Sequence, residues 1–245
     1  MSTQTADNKY QVRLKNRITV AERTMAFQFE KPAGFTFRSG QYLELTLLNP
    51  SETDAEGNGR ALSIASAPHE DFLMVATRLR DSAFKRVLAQ LPLGTEVQIE
   101  GPNGSLTLHN NTARTAVFIV GGIGVTPVRS MLVRAAHEHL PHKLLMLYLN
   151  RRPQDTAFLD ELTGLQKQNA NFRFVPIMTA AEAAENWSGE KDRLTPELLN
   201  KYISETTSPI YYLVGPPGMV NAVHELLNQT GVDDDDIRLE DFGGY

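Results

Sequence analysis

The sequence predicts two domains: an N-terminal antiparallel six-stranded Greek-key β-barrel with one helix, and a C-terminal α/β domain with a parallel five-stranded sheet. The length of 245 residues suits two domains of ordinary size. Up to residue 100, short apolar runs are separated by turn residues, which is typical of a small barrel. From Thr115 onward strands and helices alternate, which indicates a parallel sheet covered on both faces. We place the domains at residues 8–110 and 111–245.

The barrel strands follow from the alternation of apolar and polar residues. Residues 41–47, QYLELTL, alternate with the period of two that a half-buried strand shows. One helix interrupts the strands at residues 82–91, where Phe84, Leu88 and Leu91 share a face. Residues 49–59 are rich in turn formers and read as an exposed insertion. The predicted strands of this half are residues 10–18, 24–30, 41–47, 61–66, 72–79 and 96–100.

The segment 115–135, TAVFIVGGIGVTPVRSMLVRA, is the centre of the C-terminal half. Its apolar run 116–120 is rich in β-branched residues and too short for a helix, which favours a buried strand. Three glycines follow and allow a sharp turn with a ligand close to the backbone. Thr126 is predicted to be the N-cap, and Pro127 the first residue, of the next helix. The start of that helix forms an anion site, and the expected occupant is the pyrophosphate of a nucleotide.

The alternative for this segment is a plain strand–loop–helix connection whose glycines only relieve crowding. Pro127 supports that alternative, because it replaces the third glycine of the dinucleotide fingerprint. A polar stretch at 179–192 separates two of the later elements. The other predicted strands are residues 143–149, 172–178, 210–214 and 237–240, and the predicted helices are residues 127–137, 157–168, 217–227 and one that begins at Pro196 after the N-cap Thr195.

Composition argues against several classes of function. The net charge of −5 disfavours nucleic acid as the main partner, and no apolar run reaches the roughly 18 residues of a membrane span. The polar N-terminus lacks the apolar core of a signal peptide, which favours the cytoplasm. The sequence has no cysteine, which removes thiolate catalysis and cysteine-held zinc or iron–sulfur clusters. His137, His139 and His142 read as a solvated loop, so we predict no metal site.

A second informative segment lies upstream at residues 60–66, RALSIAS. An arginine beside a strand, with hydroxyls at Ser63 and Ser66, offers a bidentate phosphate ligand and donors to a ring system. The helix start at 82–85, SAFK, is a second anion site with a lysine beside it. Each alone reads as a surface arginine or an ordinary helix start. Together with the turn after residue 120, they suggest one dinucleotide in the barrel and another on the sheet.

These segments resemble the motifs of the ferredoxin–NADP reductase family. RALS at 60–63 resembles its R-x-Y-S flavin motif, and GIGVTP at 122–127 looks like its G-x-G-x-x-P pyridine-nucleotide motif. VGPPGM at 214–219 resembles its C-G-x-x-x-M segment, and EDFGGY at 240–245 resembles its acid-plus-aromatic end. The resemblance covers nearly the whole chain, in the family's order and spacing.

The resemblance implies an FAD barrel followed by an NAD(P)-binding domain, with the nicotinamide meeting the flavin in the cleft between them. The implied reaction is hydride transfer from NAD(P)H to flavin N5, then release of electrons to a separate acceptor such as ferredoxin, flavodoxin or an oxygenase component. Leu62 stands where the family has a tyrosine that stacks on the flavin, and Val214 stands where it has a cysteine beside the nicotinamide. These departures leave a non-catalytic or regulatory flavin- or nucleotide-binding module open as an alternative. A free-flavin reductase is a further alternative.

The pyridine nucleotide is predicted to be NADPH rather than NADH. Arg151 and Arg152 follow the second strand of the sheet, with no acid before Asp155. Arginines at this place can pair with a 2′-phosphate, whereas an acid would bind the ribose hydroxyls of NAD. The alternative is that both arginines flank a solvated loop.

The resemblance also assigns site residues. Arg60 is expected to hold the FAD pyrophosphate, and Ser63 to form a hydrogen bond near flavin N5. Glu240 takes the place of the family's acid, and either Phe242 or Tyr245 caps the flavin; Ser63, Glu240 and Phe242 are the catalytic candidates. The other residues expected to contact FAD are Ala61, Leu62, Ala76 and Thr77 and, at its phosphates, Ala83, Phe84 and Lys85. Those expected to contact the nicotinamide nucleotide are Gly122, Gly124, Thr126, Asn150, Arg151, Arg152, Gly215, Pro216 and Met219.

Overall fold

The computed structural model describes residues 4–5, 8–180 and 187–243 of the chain. An antiparallel sheet forms in the N-terminal part, and a parallel sheet with helices forms in the C-terminal part. This arrangement confirms the predicted fold class. None of the helices seen in the described residues combines the length and the apolar character that crossing a bilayer requires.

The chain divides into two compact units. The barrel unit comprises Met1–Thr107 and Thr126–Arg134. The sheet unit comprises Leu108–Val125 and Ala135–Tyr245. A short helical piece from the middle of the chain therefore groups with the barrel, while the domain boundary after residue 110 stays a prediction.

The described part of the barrel unit contains, in chain order, β1 (Gln4–Thr5), β2 (Lys9–Ala21), β3 (Thr24–Glu30), β4 (Tyr42–Leu47), β5 (Gly59–Ser63), β6 (Phe72–Arg78), α1 (Ala83–Gln90) and β7 (Glu96–Asn103). The long strands run antiparallel in the order β5-β4-β7-β2-β3-β6, and the two-residue β1 pairs with β2. The chain after β5 continues onto β6, because the Ala65 N–H donates to the Met74 carbonyl at 2.7 Å. This pairing closes the sheet into a barrel with Greek-key order.

Alternating side chains build the barrel core. In β4 the side chains of Leu43, Leu45 and Leu47 are buried, and the residues between them are half-buried. In α1, Phe84 and Leu88 face the same core. Each such side chain stabilises the fold by roughly 1.5–3 kcal/mol when it is fully buried. The core therefore follows from the apolar periodicity of the sequence.

The elements after β7 belong to the sheet unit, except for residues 126–134 of α2, which group with the barrel unit. In chain order they are β8 (Ala116–Gly121), α2 (Val125–His137), β9 (Leu144–Asn150), α3 (Leu159–Gln168), β10 (Phe172–Met178), β11 (Glu190–Lys191), α4 (Pro196–Ile203), β12 (Ile210–Gly215), α5 (Pro217–Gln229) and β13 (Ile237–Asp241). The strands are parallel, in the order β11-β10-β9-β8-β12-β13. Every residue of β8, β9 and β12 is buried, as strands covered on both faces require. Five strands match the prediction, and the two-residue β11 is a sixth, within the stretch predicted to be polar loop.

Two expectations are wrong, one about the start of α2 and one about the loop that contains His142. Helical backbone begins with a 3-10 turn at Gly122, and α2 starts at Val125, so Thr126 is not the N-cap and Pro127 is not the first helical residue. Both lie inside the first turn, where the missing proline N–H would have no helical partner in any case. His142 is buried rather than solvated, and its Nε2 lies 2.8 Å from the carbonyl oxygen of His109.

Candidate functional site

Arg60 lies near the start of β5, and the loop before that strand holds its guanidinium. Nη1 donates to the carbonyls of Glu56, Gly57 and Gly59 at 3.0, 3.3 and 2.6 Å. Nη2 donates to the Glu56 carboxylate at 2.7 Å. The guanidinium carbon lies 5.1 Å from the centre of the Phe84 ring, which belongs to α1. These contacts hold Arg60 beside α1, and the start of this helix was predicted to bind the same phosphate group as Arg60.

The N-terminus of α1 is already bound to an anion. Ser82 caps the helix, and the Ala83 N–H donates to the Asp54 carboxylate at 2.8 Å. The Asp54 carboxylate also lies 3.7 Å from Arg60 Nη2. The hydrogen bond from Ala83 is the largest cause that lowers the pKa of Asp54. Lys85 is buried nearby, and burial lowers its pKa. The predicted phosphate ligands of the barrel therefore meet at one place.

Ser63, at the end of β5, has a buried hydroxyl without a hydrogen-bond partner in the part of the chain that the structure describes. Its Oγ is without a partner among the described residues, and the side chain is 5% exposed. A buried polar group left in this state costs roughly 1–3 kcal/mol, so a ligand or a water is expected to complete it. Its neighbour Leu62 is buried in the barrel core. An apolar contact between Leu62 and the flavin ring stays a prediction. The other expected flavin contacts divide into exposed Ala61 and buried Ala76 and Thr77.

Glycine backbones in close contact form the turn after β8. A Cβ added at Gly124 would lie 2.5 Å from the carbonyl oxygen of Val214. A Cβ added at Gly121 would lie 2.4 Å from Sδ of Met219, and one at Gly215 would lie 3.0 Å from the nitrogen of Gly121. Only glycine allows such an approach. The glycines at 121, 124 and 215, here called the glycine cluster, thus bring the carboxyl ends of β8 and β12 together.

The glycine cluster lies where the order of the strands reverses. β9 and β10 lie on one side of β8, and β12 lies on the other. In open parallel sheets, ligands bind beyond the carboxyl ends of the strands at such a point. Gly122 lies there with a left-handed φ of 53°, and its carbonyl accepts a hydrogen bond from the Tyr148 hydroxyl at 2.7 Å. At the start of α5, Pro216 is exposed and Met219 is half-buried. The predicted nucleotide residues of β8 and β12 are therefore neighbours.

The sheet unit also has a buried polar group that lacks a partner among the described residues. Asn150, the last residue of β9, is 4% exposed, and neither atom of its amide has a hydrogen-bond partner among the described residues. Arg151 is exposed. Arg152 binds the Asp155 carboxylate with two hydrogen bonds, from Nε at 3.0 Å and from Nη2 at 2.7 Å. Of the two arginines that predict NADPH, one is therefore already paired with an acid.

The C-terminal acid and aromatic lie beside the glycine cluster. β13 pairs with β12 in a register that sets Glu240 opposite Val214. Glu240 is half-buried, and burial raises the pKa of its carboxyl. The Phe242 N–H donates to the Gly215 carbonyl at 3.0 Å. Tyr245, the other candidate for the cap, lies outside the described residues.

Comparison with known proteins shows which families and proteins this chain is similar to. Residues 118–225 match the family described as "Oxidoreductase NAD-binding domain". The chain is 28% identical over 225 residues to the reductase component of the glycine betaine monooxygenase of Chromohalobacter salexigens, covering 90% of this chain and 60% of the relative. It is 28% identical over 220 residues to one component of the Na(+)-translocating NADH-quinone reductase of Yersinia enterocolitica, covering 84% of this chain and 54% of the relative. The chain thus spans somewhat more than half the length of these relatives.

Solved structures share the whole two-part fold. A ferredoxin NADP+ reductase from Neisseria gonorrhoeae with bound FAD and NADP superposes with a TM-score of 0.79 at 22% identity, covering 96% of this chain and 98% of that one. The FAD/NAD-binding domain of nitric oxide dioxygenase from Vibrio cholerae superposes with a TM-score of 0.82 at 19% identity, covering 95% and 98%.

The chain therefore has the fold of ferredoxin–NADP reductase-like proteins. The four sequence motifs lie in β5, at the start of α2, across the end of β12 and the start of α5, and at the end of β13.

Sequence reasoning missed two residues of α2 that bind the backbone of the barrel unit. Arg129, which is 5% exposed, donates to the Ala65 carbonyl at 2.6 Å and to the Glu70 carboxylate at 3.1 Å. Ser130 Oγ donates to the Ser66 carbonyl at 2.6 Å. These bonds fix the backbone that directly follows β5. The sequence did contain one sign of this contact, because Arg129 lies among the apolar residues of a helix.

Proposed function

We propose that the chain is a flavin-dependent oxidoreductase that passes a hydride from NAD(P)H to bound FAD and then electrons to a separate acceptor. The observation that carries this proposal is the buried, unpartnered hydroxyl of Ser63 on the strand that also bears Arg60. The Neisseria reductase, which has FAD and NADP bound, supports the choice of ligands. Ser63, Glu240 and Phe242 are the proposed catalytic residues.

Residues of the barrel unit would bind the flavin. Arg60 would pair with the pyrophosphate, and the Ala83 N–H at the start of α1 would donate to it. Ser63 would donate its hydroxyl near flavin N5 and so gain the partner that it lacks. Buried Ala76 and Thr77 would line the site. When bound, FAD supplies hydride acceptance and electron release, which no side chain of the chain can provide.

Residues of the sheet unit would bind the nicotinamide nucleotide. The left-handed Gly122 and the first N–H groups of α2 would approach its phosphates. Asn150 would donate and accept hydrogen bonds through the amide that is now unpartnered. Met219 would stand behind the nicotinamide. Because burial raises its pKa, Glu240 keeps a proton at a higher pH than an ordinary glutamate and can donate it to a neighbouring acceptor.

The cofactor preference and the acceptor are part of the same proposal. Selectivity for NADPH would depend on Arg151, because Arg152 is paired with Asp155. The named relatives are components of a monooxygenase and of a quinone reductase, which supports a separate acceptor. The proposed acceptors are an oxygenase component, a ferredoxin or a flavodoxin. The 245 residues contain no cysteine, so a cluster held by cysteines would lie outside them. We place the reaction in the cytoplasm.

The test is anaerobic reduction of the reconstituted protein. The purified chain is incubated with FAD, passed through gel filtration, and mixed with NADH or NADPH while the visible flavin band is recorded. We expect the band to bleach with at least one nucleotide. A protein that stays colourless after reconstitution contradicts the proposal, and one that holds flavin without bleaching supports the non-catalytic module instead.

Arg60→Ala tests the assigned pyrophosphate contact. The loss of one charge-assisted pair should weaken FAD binding by roughly tenfold to a hundredfold, measured by flavin fluorescence titration. Arg13→Ala is the matched control, because Arg13 is an exposed barrel arginine paired with Glu96. Equal FAD affinity in both variants would remove the assignment.

A second candidate, a free-flavin reductase, is favoured by the position of Leu62. The side chain is buried in the barrel core, where the family's tyrosine would offer an aromatic face. In that case flavin turns over as a substrate and is lost during gel filtration, while NAD(P)H-dependent reduction of added flavin persists. Stoichiometric retention of FAD would exclude this candidate.

A further inference from the structure

The loop between β4 and β5 carries three carboxylates that bind donors of the barrel unit. Glu52, Asp54 and Glu56 alternate along this loop, here called the acidic loop. Asp54 accepts the Ala83 N–H at 2.8 Å, and Glu56 accepts Arg60 Nη2 at 2.7 Å. These donors are the groups to which the proposed function assigns the FAD pyrophosphate.

Further contacts hold the acidic loop in this position. Glu52 binds Arg86 of α1 through both carboxylate oxygens, from Nε at 2.9 Å and from Nη2 at 2.7 Å. Inside the loop, the Asp54 carboxylate also accepts the Glu56 N–H at 3.0 Å. Arg60 Nη1 donates to the carbonyls of Glu56 and Gly57 in the loop and of Gly59 at the start of β5. The acidic loop is thus folded onto α1 and Arg60 along its length.

A carboxylate and a phosphate compete for such donors. Both are anions whose oxygens accept hydrogen bonds from arginine and from the N–H groups of a helix start. The Ala83 N–H has one hydrogen to donate, and it donates it to Asp54. Two carboxylates beside a pyrophosphate would also repel it. The acidic loop and a pyrophosphate therefore exclude each other at this place.

We infer that the acidic loop is an internal competitor for the phosphate end of the flavin site, which a flavin dinucleotide must displace to bind. The inference rests on the proposed function and adds what regulates that site. The carboxylates of Asp54 and Glu56 stand in for the pyrophosphate when the dinucleotide leaves, so they lower its affinity and ease its exchange. Riboflavin, which has no phosphate, does not meet this competition.

The experiment compares isosteric neutral variants in titrations with FAD and with riboflavin. The double variant Asp54→Asn/Glu56→Gln removes the two competing charges and keeps the side-chain shapes. The double variant Glu96→Gln/Glu100→Gln is the control, because it makes the same charge change on exposed barrel acids that pair with Arg13 and Lys9. Circular dichroism compares the folding of each protein.

The expected result is a Kd for FAD about tenfold lower in the acidic-loop variant, which corresponds to about 1.4 kcal/mol. Its Kd for riboflavin, and both constants of the control variant, should stay close to those of the wild type. Glu56→Gln alone, at a side chain that is 73% exposed, should give part of the gain without a risk to folding.

Two results would overturn the inference, and they differ from each other. If the acidic-loop variants bind FAD with unchanged or weaker affinity while the wild type binds it, the loop is not a competitor and the proposed function stands. If the wild type and all variants bind neither FAD nor riboflavin, the proposed function fails, and the inference fails with it.

Discussion

The candidate anion site of the barrel unit is formed largely by side chains, and that of the sheet unit by backbone. The barrel unit uses charged side chains, since Arg60 and the start of α1 are held by Asp54 and Glu56. The sheet unit uses backbone, since the glycine cluster brings β8 and β12 into contact without side chains between them. A side-chain site can exchange one anion for another. A backbone site is set by the strands and changes only when they move.

The largest expected effect concerns the buried ion pair between Arg129 and Glu70 in the barrel unit. Arg129→Met keeps the apolar stem but leaves the Glu70 carboxylate, which is 16% exposed, without its arginine. Breaking a buried pair in this way should lower the free energy of unfolding by about 3–5 kcal/mol, measured by urea denaturation. Arg13→Met removes an exposed pair and should cost at most about 1 kcal/mol. Equal losses in the two variants would contradict the comparison.

The second prediction addresses the backbone site. Gly124→Ala would place a Cβ 2.5 Å from the Val214 oxygen and 2.7 Å from the Val214 carbonyl carbon, so a strand end must shift. We expect a loss of about 1–3 kcal/mol, measured by thermal or urea unfolding. The control is Gly164→Ala in α3, where no described atom outside the local helix backbone lies within 4 Å of the added Cβ and a gain of about 0.5–1 kcal/mol is expected. A stable Gly124→Ala protein would show that the backbone site is adaptable.

The third prediction concerns the side chains that are proposed to select NADPH over NADH at the sheet unit. Arg151→Ala/Arg152→Ala should raise the KM for NADPH by roughly tenfold and leave that for NADH nearly unchanged, because only NADPH carries the 2′-phosphate. Arg151→Ala alone should give most of the effect, since Arg152 binds Asp155. The measurement is steady-state kinetics with both nucleotides. Parallel changes in the two KM values would assign the arginines to a solvated loop.

The smallest expected effect is a pH dependence at Glu240. Because its folded-state pKa is raised by burial, its contribution to stability is fully present below the ordinary value of 4.5 and is lost as the pH rises through the raised pKa. Relative to the wild type, Glu240→Gln should therefore gain stability across that window in urea titrations at a series of pH values.

The control for this slope is Glu197→Gln in α4. The pKa of Glu197 is lowered, chiefly by a hydrogen bond from its own backbone N–H and also by Thr195, so its contribution is present above the ordinary value and is lost as the pH falls. The two variants should differ from the wild type with opposite slopes. The same slope in both would remove the assigned burial effect.

Periodicity made most of the fold predictable. Alternation in β4 and the apolar runs of β8 and β12 are local patterns, and the structure has these strands where the sequence predicts them. The predicted start of α2 was wrong because glycines at 122 and 124 were read as a turn, although they enter the helix through a 3-10 turn. Residue type alone favours a cap at Thr126, and it carries no information about this local geometry.

The candidate site was less predictable, because it depends on distances between segments far apart in the chain. The family motifs located Arg60, Ser63 and the glycine turn. Nothing in the local pattern showed that Arg60 would bind the acidic loop, since the loop acids looked like an ordinary exposed turn. The buried contact between Arg129 and the Ala65 carbonyl joins residues separated by 64 positions, and no periodicity reports such a pair.

The helical piece Thr126–Arg134 has a consequence for recombination between related genes. Because this piece groups with the barrel unit, the barrel is discontinuous in sequence. A crossover at residue 110 would exchange the strands and leave their brace behind, so that a foreign residue would have to replace Arg129 opposite Glu70. Chimaeras that carry residues 126–134 together with the barrel of the same parent should therefore fold more often than those cut at a single point.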